Sequence, residues 1–169
     1  MSQAVLNDHD WARHSTADQA IRADQLSRKR SFKLTLYVAG MSEHAFVFPA
    51  VPRLEVVRLL DELAVAGHGS WSTNTRLIVW LTDEASSLYQ GWEPEDIADL
   101  EQTVGRRPEW AVQINYRLSH RADLAALAVA LLRDGGVAVD DFCSRVWKAA
   151  EIETDTVFSG GRFGEGPVR

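Results

Sequence analysis

"WAVQINYRLSHRADLAALAVALLRDGGVAVDDF", residues 110–142, decides how this chain folds. Trp110, Val112, Ile114, Tyr116 and Leu118 alternate with Ala111, Gln113, Asn115 and Arg117, the two-residue period of a strand with one buried face. At Ser119 the period lengthens. Serine is a good cap for free helix N–H groups, and Leu124, Leu127, Ala128, Leu131 and Leu132 then recur at helical spacing. Ala125, Ala126 and Ala130 permit close packing, while Asp123 near the start and Arg133 in the last turn complement the helix dipole. Gly135 and Gly136 supply a left-handed exit, residues 137–139 make a short strand, and Asp140 and Asp141 close it.

The rest of the chain extends this alternation of periods. Residues 33–39 place Leu34, Leu36 and Val38 opposite Lys33, Thr35 and Tyr37, and residues 44–50 form a second strand, so the pair is expected as a hairpin. Pro52 suits a helix start, and Leu54, Val57, Leu60 and Leu63 come after it at helical spacing until Gly67 and Gly69. Residues 68–75 are a polar loop. Residues 76–82 are apolar on both faces, as in a central strand, and residues 93–105 are an acidic helix with Pro94 in its first turn. Residues 141–152 are expected to turn or coil into a terminal helix that docks Phe142, Val146 and Trp147, before a glycine-rich end. The expected organisation is an N-terminal extension over 1–32, partly disordered, an α+β domain over 33–152, and a flexible tail over 153–169. Within the domain we expect one sheet of about five strands with helices packed mainly on one face.

A chain of 169 residues fits one domain, and 46% apolar with 25% charged residues is the balance of a soluble globular protein. Uncharged apolar runs reach only about nine residues against the roughly 20 of a membrane span. Residues 1–15 lack a basic region followed by an apolar one, so no secretory leader is expected. The single cysteine, Cys143, excludes an internal disulfide and any multi-cysteine zinc site, which together points to a reduced, cytoplasmic setting.

Charge is unevenly distributed. Residues 1–33 hold six Lys/Arg and four Asp/Glu, leaving twelve and twenty for the remainder of a chain whose net charge is −6. Residues 77–105 contain Asp83, Glu84, Glu93, Glu95, Asp96, Asp99 and Glu101 and neither Lys nor Arg. Such a surface repels nucleic acid and attracts basic partners; equally, acids gather on a solvated helix face near its N-terminus. Trp71, Tyr89 and Trp92 lie in loops around it, either as anchors for a partner or folded back on their own domain.

No motif assigns catalysis, a metal or a cofactor. There is no phosphate-loop lysine, no HExxH and no GxSxG, and His9, His14, His44, His68 and His120 are scattered. Cys143 between Phe142 and Trp147 has the setting of an inert buried thiol. Adjacent residues of an extended chain point to opposite faces, so if Val137 and Val139 face the core, Asp140 faces outward. Three roles stay open for Asp140 and Asp141: capping the closing helix, contacting a partner, or serving a small ligand-binding or metal-dependent enzyme domain together with His120.

Residues 110–152, with their strand, Ala/Leu-rich helix, Gly-Gly exit, short strand, Asp-Asp and Trp147, resemble the C-terminal part of small bacterial immunity proteins of polymorphic toxin systems. The resemblance implies a cytoplasmic, non-enzymatic protein that binds and neutralises a cognate toxin, with no cofactor and no nucleic-acid or membrane partner. It carries over no residue-level site. The charge and aromatic pattern supplies the candidate surface: Trp71, Asp83, Glu84, Tyr89, Trp92, Glu93, Glu95, Asp96 and Asp99, with Asp140 as an outward carboxylate. The other class left open is an adaptor in a larger assembly that uses the first thirty or so residues as a docking arm.

Overall fold

Segments of period two build the sheet of this protein and segments of period 3.6 cover it. The computed structural model describes residues 43–158 and 161–165, and the backbone alone at Cys143 and Ser144. The expected N-terminal extension and the expected strand 33–39 lie outside the described residues. Among those described, seven strands form one antiparallel sheet: β1 (Glu43–Pro49), β2 (Val65–Ala66), β3 (Trp71–Ser72), β4 (Ile78–Asp83), β5 (Trp110–Tyr116), β6 (Gly136–Asp140) and β7 (Cys143–Trp147). Their spatial order is β2-β3-β4-β5-β1-β6-β7. Four α-helices accompany them: α1 (Arg53–Leu63), α2 (Pro94–Val104), α3 (Arg121–Leu131) and α4 (Ala149–Glu153). The class is α+β. Since β2 and β3 have two residues each, five strands carry most of the sheet, close to the number expected from the sequence.

Both faces of the sheet are covered. On one, α1 (Val56, Leu60), α3 (Leu124, Leu127, Ala128, Leu131) and α4 (Ile152) pack with Ala45, Val47, Val79, Val112, Ile114 and Trp147 into the larger core. On the other, Leu88 from the connection after β4 and Leu100 of α2 cover Phe48, Ala111 and Val137. The stripe read for α3 is the buried one, and Leu132 beyond it is buried too. For α1 the stripe is offset: Leu54 and Leu63 are 61% and 46% exposed, while Val56 and Leu60 point inward. Several apolar sets at three- and four-residue spacing coexist in residues 54–63, and packing selects among them.

Strand β1 pairs with β5 (Glu43 to Val47) and with β6 (Ala45 to Pro49), so its described neighbours in the sheet come from far along the chain. Two further expectations change. Ser119 lies in a 3-10 turn, Leu118–His120, and His120 occupies the N-cap of α3 without a side-chain bond. The expected closing helix over 141–152 is mostly β7, joined to β6 through Asp141 and Phe142, with only the short α4 after it. Val146 packs in the smaller core and Trp147 in the larger, an alternation too short to see in the sequence.

Within the expected flexible tail, Thr154, Asp155 and Val157 are exposed, whereas Phe158 and Phe163 pack against the larger core. Phe158 bridges to Gly161, Phe163 is 1% exposed, and both rings meet Trp147 edge-on at 5.7 and 6.1 Å. The Arg121 Nε–H donates to the Phe163 carbonyl at 2.9 Å. Gly164 has φ +69, and a Cβ there would lie 2.6 Å from Leu124 Cδ2, so a glycine lets the chain press onto α3. Phe163, and in part Phe158, supply apolar burial at these positions.

Candidate functional site: the acidic segment and the Asp140–Asp141 turn

The acidic segment runs from the end of β4 through α2, on the side of the smaller core. Its first half is neutralised within the domain. Asp83 accepts from the Ser86 N–H at 2.9 Å and the Ser86 hydroxyl at 2.8 Å, and Arg53 lies 3.6 Å away. The Ser86 bonds, with help from Arg53, hold the Asp83 carboxyl below the usual aspartate range. Arg107, just past the acidic run, reaches Glu84 at 3.0 Å and Glu101 at 3.6 Å. Its guanidinium also stacks 4.5 Å from the centre of the Tyr89 ring.

The aromatics turn inward. Tyr89 donates its hydroxyl to the Pro108 carbonyl at 2.6 Å, and burial pushes its pKa up to about 12 against the opposing pull of Arg107. Trp92 meets Phe46, Phe48 and Tyr89 edge-on at 5.2, 6.2 and 5.6 Å. Both are half-buried and both close the smaller core.

What remains outward is the N-terminal half of α2. Glu93, Glu95 and Asp99 are exposed and Asp96 is half-buried, and none of the four forms an ion pair among the described residues. Glu95 and Asp96 lie in the first turn, where the helix dipole favours them.

Two candidate residues are not part of this surface. Trp71 packs against the larger core on the opposite face, donating its indole N–H to Asp61 at 2.7 Å. Asp140 is 3% exposed, which corrects the outward orientation expected for it. Its side chain points to the larger core with Ala138, while Val137 and Val139 face the smaller one. Oδ1 accepts from the Phe142 N–H at 2.9 Å, and Oδ2 accepts from the Gly164 N–H at 2.7 Å. It therefore ties the β6–β7 turn to the C-terminal segment.

Asp141 is turned the other way. One of its oxygens accepts from the His44 backbone N–H at 2.7 Å and lies 3.2 Å from His44 Nδ1. That bond holds the His44 imidazole above its ordinary pKa, against a smaller opposing effect of burial. Glu43 is raised as well, by burial and by the Asp141 charge. The two adjacent carboxylates thus serve separate bonds on separate segments. His120 sits 3.4 Å from Asp123 and not beside them. Among the described residues no group of three or more His, Cys, Asp or Glu is arranged to hold a metal ion, and no helix is long and apolar enough to cross a membrane.

Sequence reasoning missed Arg107 and the His44–Asp141 bond. Arg106 and Arg107 directly succeed the acidic run, and that adjacency was the available signal. Nothing local links His44 to a residue 97 positions away. No protein-family model matches the chain, and comparisons with curated proteins and with solved structures give no match.

Proposed function

We propose that this chain is an immunity-type protein: a non-catalytic binder that captures and neutralises a basic bacterial toxin through the outward acidic surface of α2. One observation carries the reading. The acidic segment divides into carboxylates answered by Arg53 and Arg107, and a group, Glu93, Glu95, Asp96 and Asp99, that no cation of the described residues answers. Unanswered like charges on one short surface repel one another, and an incoming basic surface relieves that repulsion and raises the association rate. Tyr89 and Trp92 then act as the rigid platform under α2, not as inserted anchors. The resemblance over residues 110–152 supplies the class of partner, and the charge pattern supplies the surface.

The test mixes the full chain with the product of the adjacent toxin gene. Co-purification is expected, with association slowing by about tenfold or more when Glu93, Glu95, Asp96 and Asp99 are changed together to their amides, and slowing likewise in high salt. A complex that forms at the same rate in the amide variant sinks the proposed surface. The absence of any complex sinks the function.

A further inference from the structure

At the end of the sheet where β1 leaves and β5 and β6 enter lies a cleft of about 630 Å³, a volume suited to a small organic molecule. Phe48, Pro49, Val104, Trp110, Leu132 and Val137 supply the apolar part of its walls. Three cations from three connections also line it: Arg106 between α2 and β5, Arg133 between α3 and β6, and Lys148 between β7 and α4. Glu109 is the one acid among the lining residues. Arg133 contacts Asp134 at 3.3 Å, whereas Arg106 and Lys148 form no ion pair among the described residues.

A basic cleft on a chain of net charge −6 calls for a cause. Helix dipoles explain part of it. Arg106 and Arg133 lie just beyond the C-terminal ends of α2 and α3, where cations are favoured. That effect does not extend to Lys148, at the N-cap of the five-residue α4, where its backbone N–H donates to Glu151 at 2.9 Å. Three cations against one acid, Glu109, leave the lining of the cleft net positive, which favours an anion.

We infer that this cleft binds a small molecule with a phosphate group and an apolar or aromatic body. A phosphate monoester carries nearly two negative charges at neutral pH and three strong acceptor oxygens, which answers three cationic donors better than one carboxylate does. Its organic part has Trp110 and the neighbouring apolar side chains to lie against. The inference does not rest on toxin binding, since the unanswered acids lie on the N-terminal half of α2 and the cleft meets its C-terminal end.

The test titrates the full chain with phenyl phosphate by calorimetry, with inorganic phosphate, benzoate and phenol in parallel. Saturable binding of phenyl phosphate is expected, tighter than that of any of the other three. Arg106→Ala and Lys148→Ala are each expected to weaken it about tenfold, as for loss of a charge-assisted hydrogen bond, while Arg58→Ala on the outer side of α1 leaves it unchanged. All three side chains are exposed, so the variants fold, and circular dichroism checks that they do. No saturable binding, equal binding of benzoate, or equal binding by the Arg106→Ala/Lys148→Ala double variant overturns the inference.

Discussion

Replacing Asp140 with alanine removes the acceptor from two backbone donors at once. The carboxylate is buried, takes the Phe142 N–H at 2.9 Å and the Gly164 N–H at 2.7 Å, and so joins a turn to a segment 24 residues later. A hydrogen bond to a charged group contributes about 1.5–3 kcal/mol net, which sets an upper range of roughly 3–6 kcal/mol for the two. Two effects lower that figure. Removing a buried charge returns part of its desolvation cost, and the Phe142 N–H sits in a half-buried turn that water can reach. We therefore expect Asp140→Ala to destabilise the domain by about 3 kcal/mol, a large part of the roughly 5–15 kcal/mol typical of a domain. Urea denaturation followed by tryptophan fluorescence measures the loss, because Trp147 is fully buried beside Phe158 and Phe163. Trypsin cleavage after Arg162 should accelerate before the sheet unfolds, since the segment loses its tie first. A change under about 0.5 kcal/mol, with Arg162 still protected, would refute the role assigned to this carboxylate.

Other substitutions test the remaining structure. Gly136 has φ +111, and a Cβ there would lie 2.2 Å from the Phe48 carbonyl oxygen, so Gly136→Ala must force β1 and β6 apart. A loss above about 3 kcal/mol is expected on thermal denaturation, against about 1 kcal/mol for Gly105→Ala, whose Cβ would meet nothing within 4 Å; similar losses would contradict the close approach. Phe163→Ala should lower stability by about 3 kcal/mol and expose Arg162 to trypsin, whereas a loose tail would show neither change. The His44 imidazole is held above its ordinary pKa by Asp141, so its contribution is complete below about pH 6.5 and is lost as pH rises through the folded-state value. Stability measured between about pH 6 and 8.5 should fall less steeply in His44→Gln than in the natural chain, and an unchanged slope would remove His44 as the cause.

Some of this fold is legible in the sequence, and the rest is hidden for definable reasons. The strand at Trp110–Tyr116, the α3 stripe and the Gly-Gly exit each rest on a period or a backbone requirement that is local, and each is found where those local rules put it. Alternation puts Asp140 on the wrong side because it reveals two faces but not which carries the larger core. With both faces covered, Val137 and Val139 could satisfy either. The five residues of β7 are too few to establish a period, and its identity as a strand depends on pairing with β6. For the candidate surface, composition shows only that the carboxylates of residues 83–101 share one segment. It does not reveal that Arg53 and Arg107 fold back over the first of them, or that Tyr89 and Trp92 are committed to the smaller core.

The central position of β1 governs how the domain is made. Glu43–Pro49 is synthesised before either strand that flanks it, and its neighbour β5 begins only at Trp110, with β6 starting later still at Gly136. At ribosomal speeds of about 5–20 residues per second, the alternating Ala45, Phe46, Val47 and Phe48 emerge several seconds ahead of the partners that bury them. During that interval the nascent chain presents an unpaired apolar strand to the cell. The trigger for collapse must therefore come late, when α3 and the second flanking strand arrive together. A shortened product ending before residue 136 is expected to aggregate and not to fold as a subdomain.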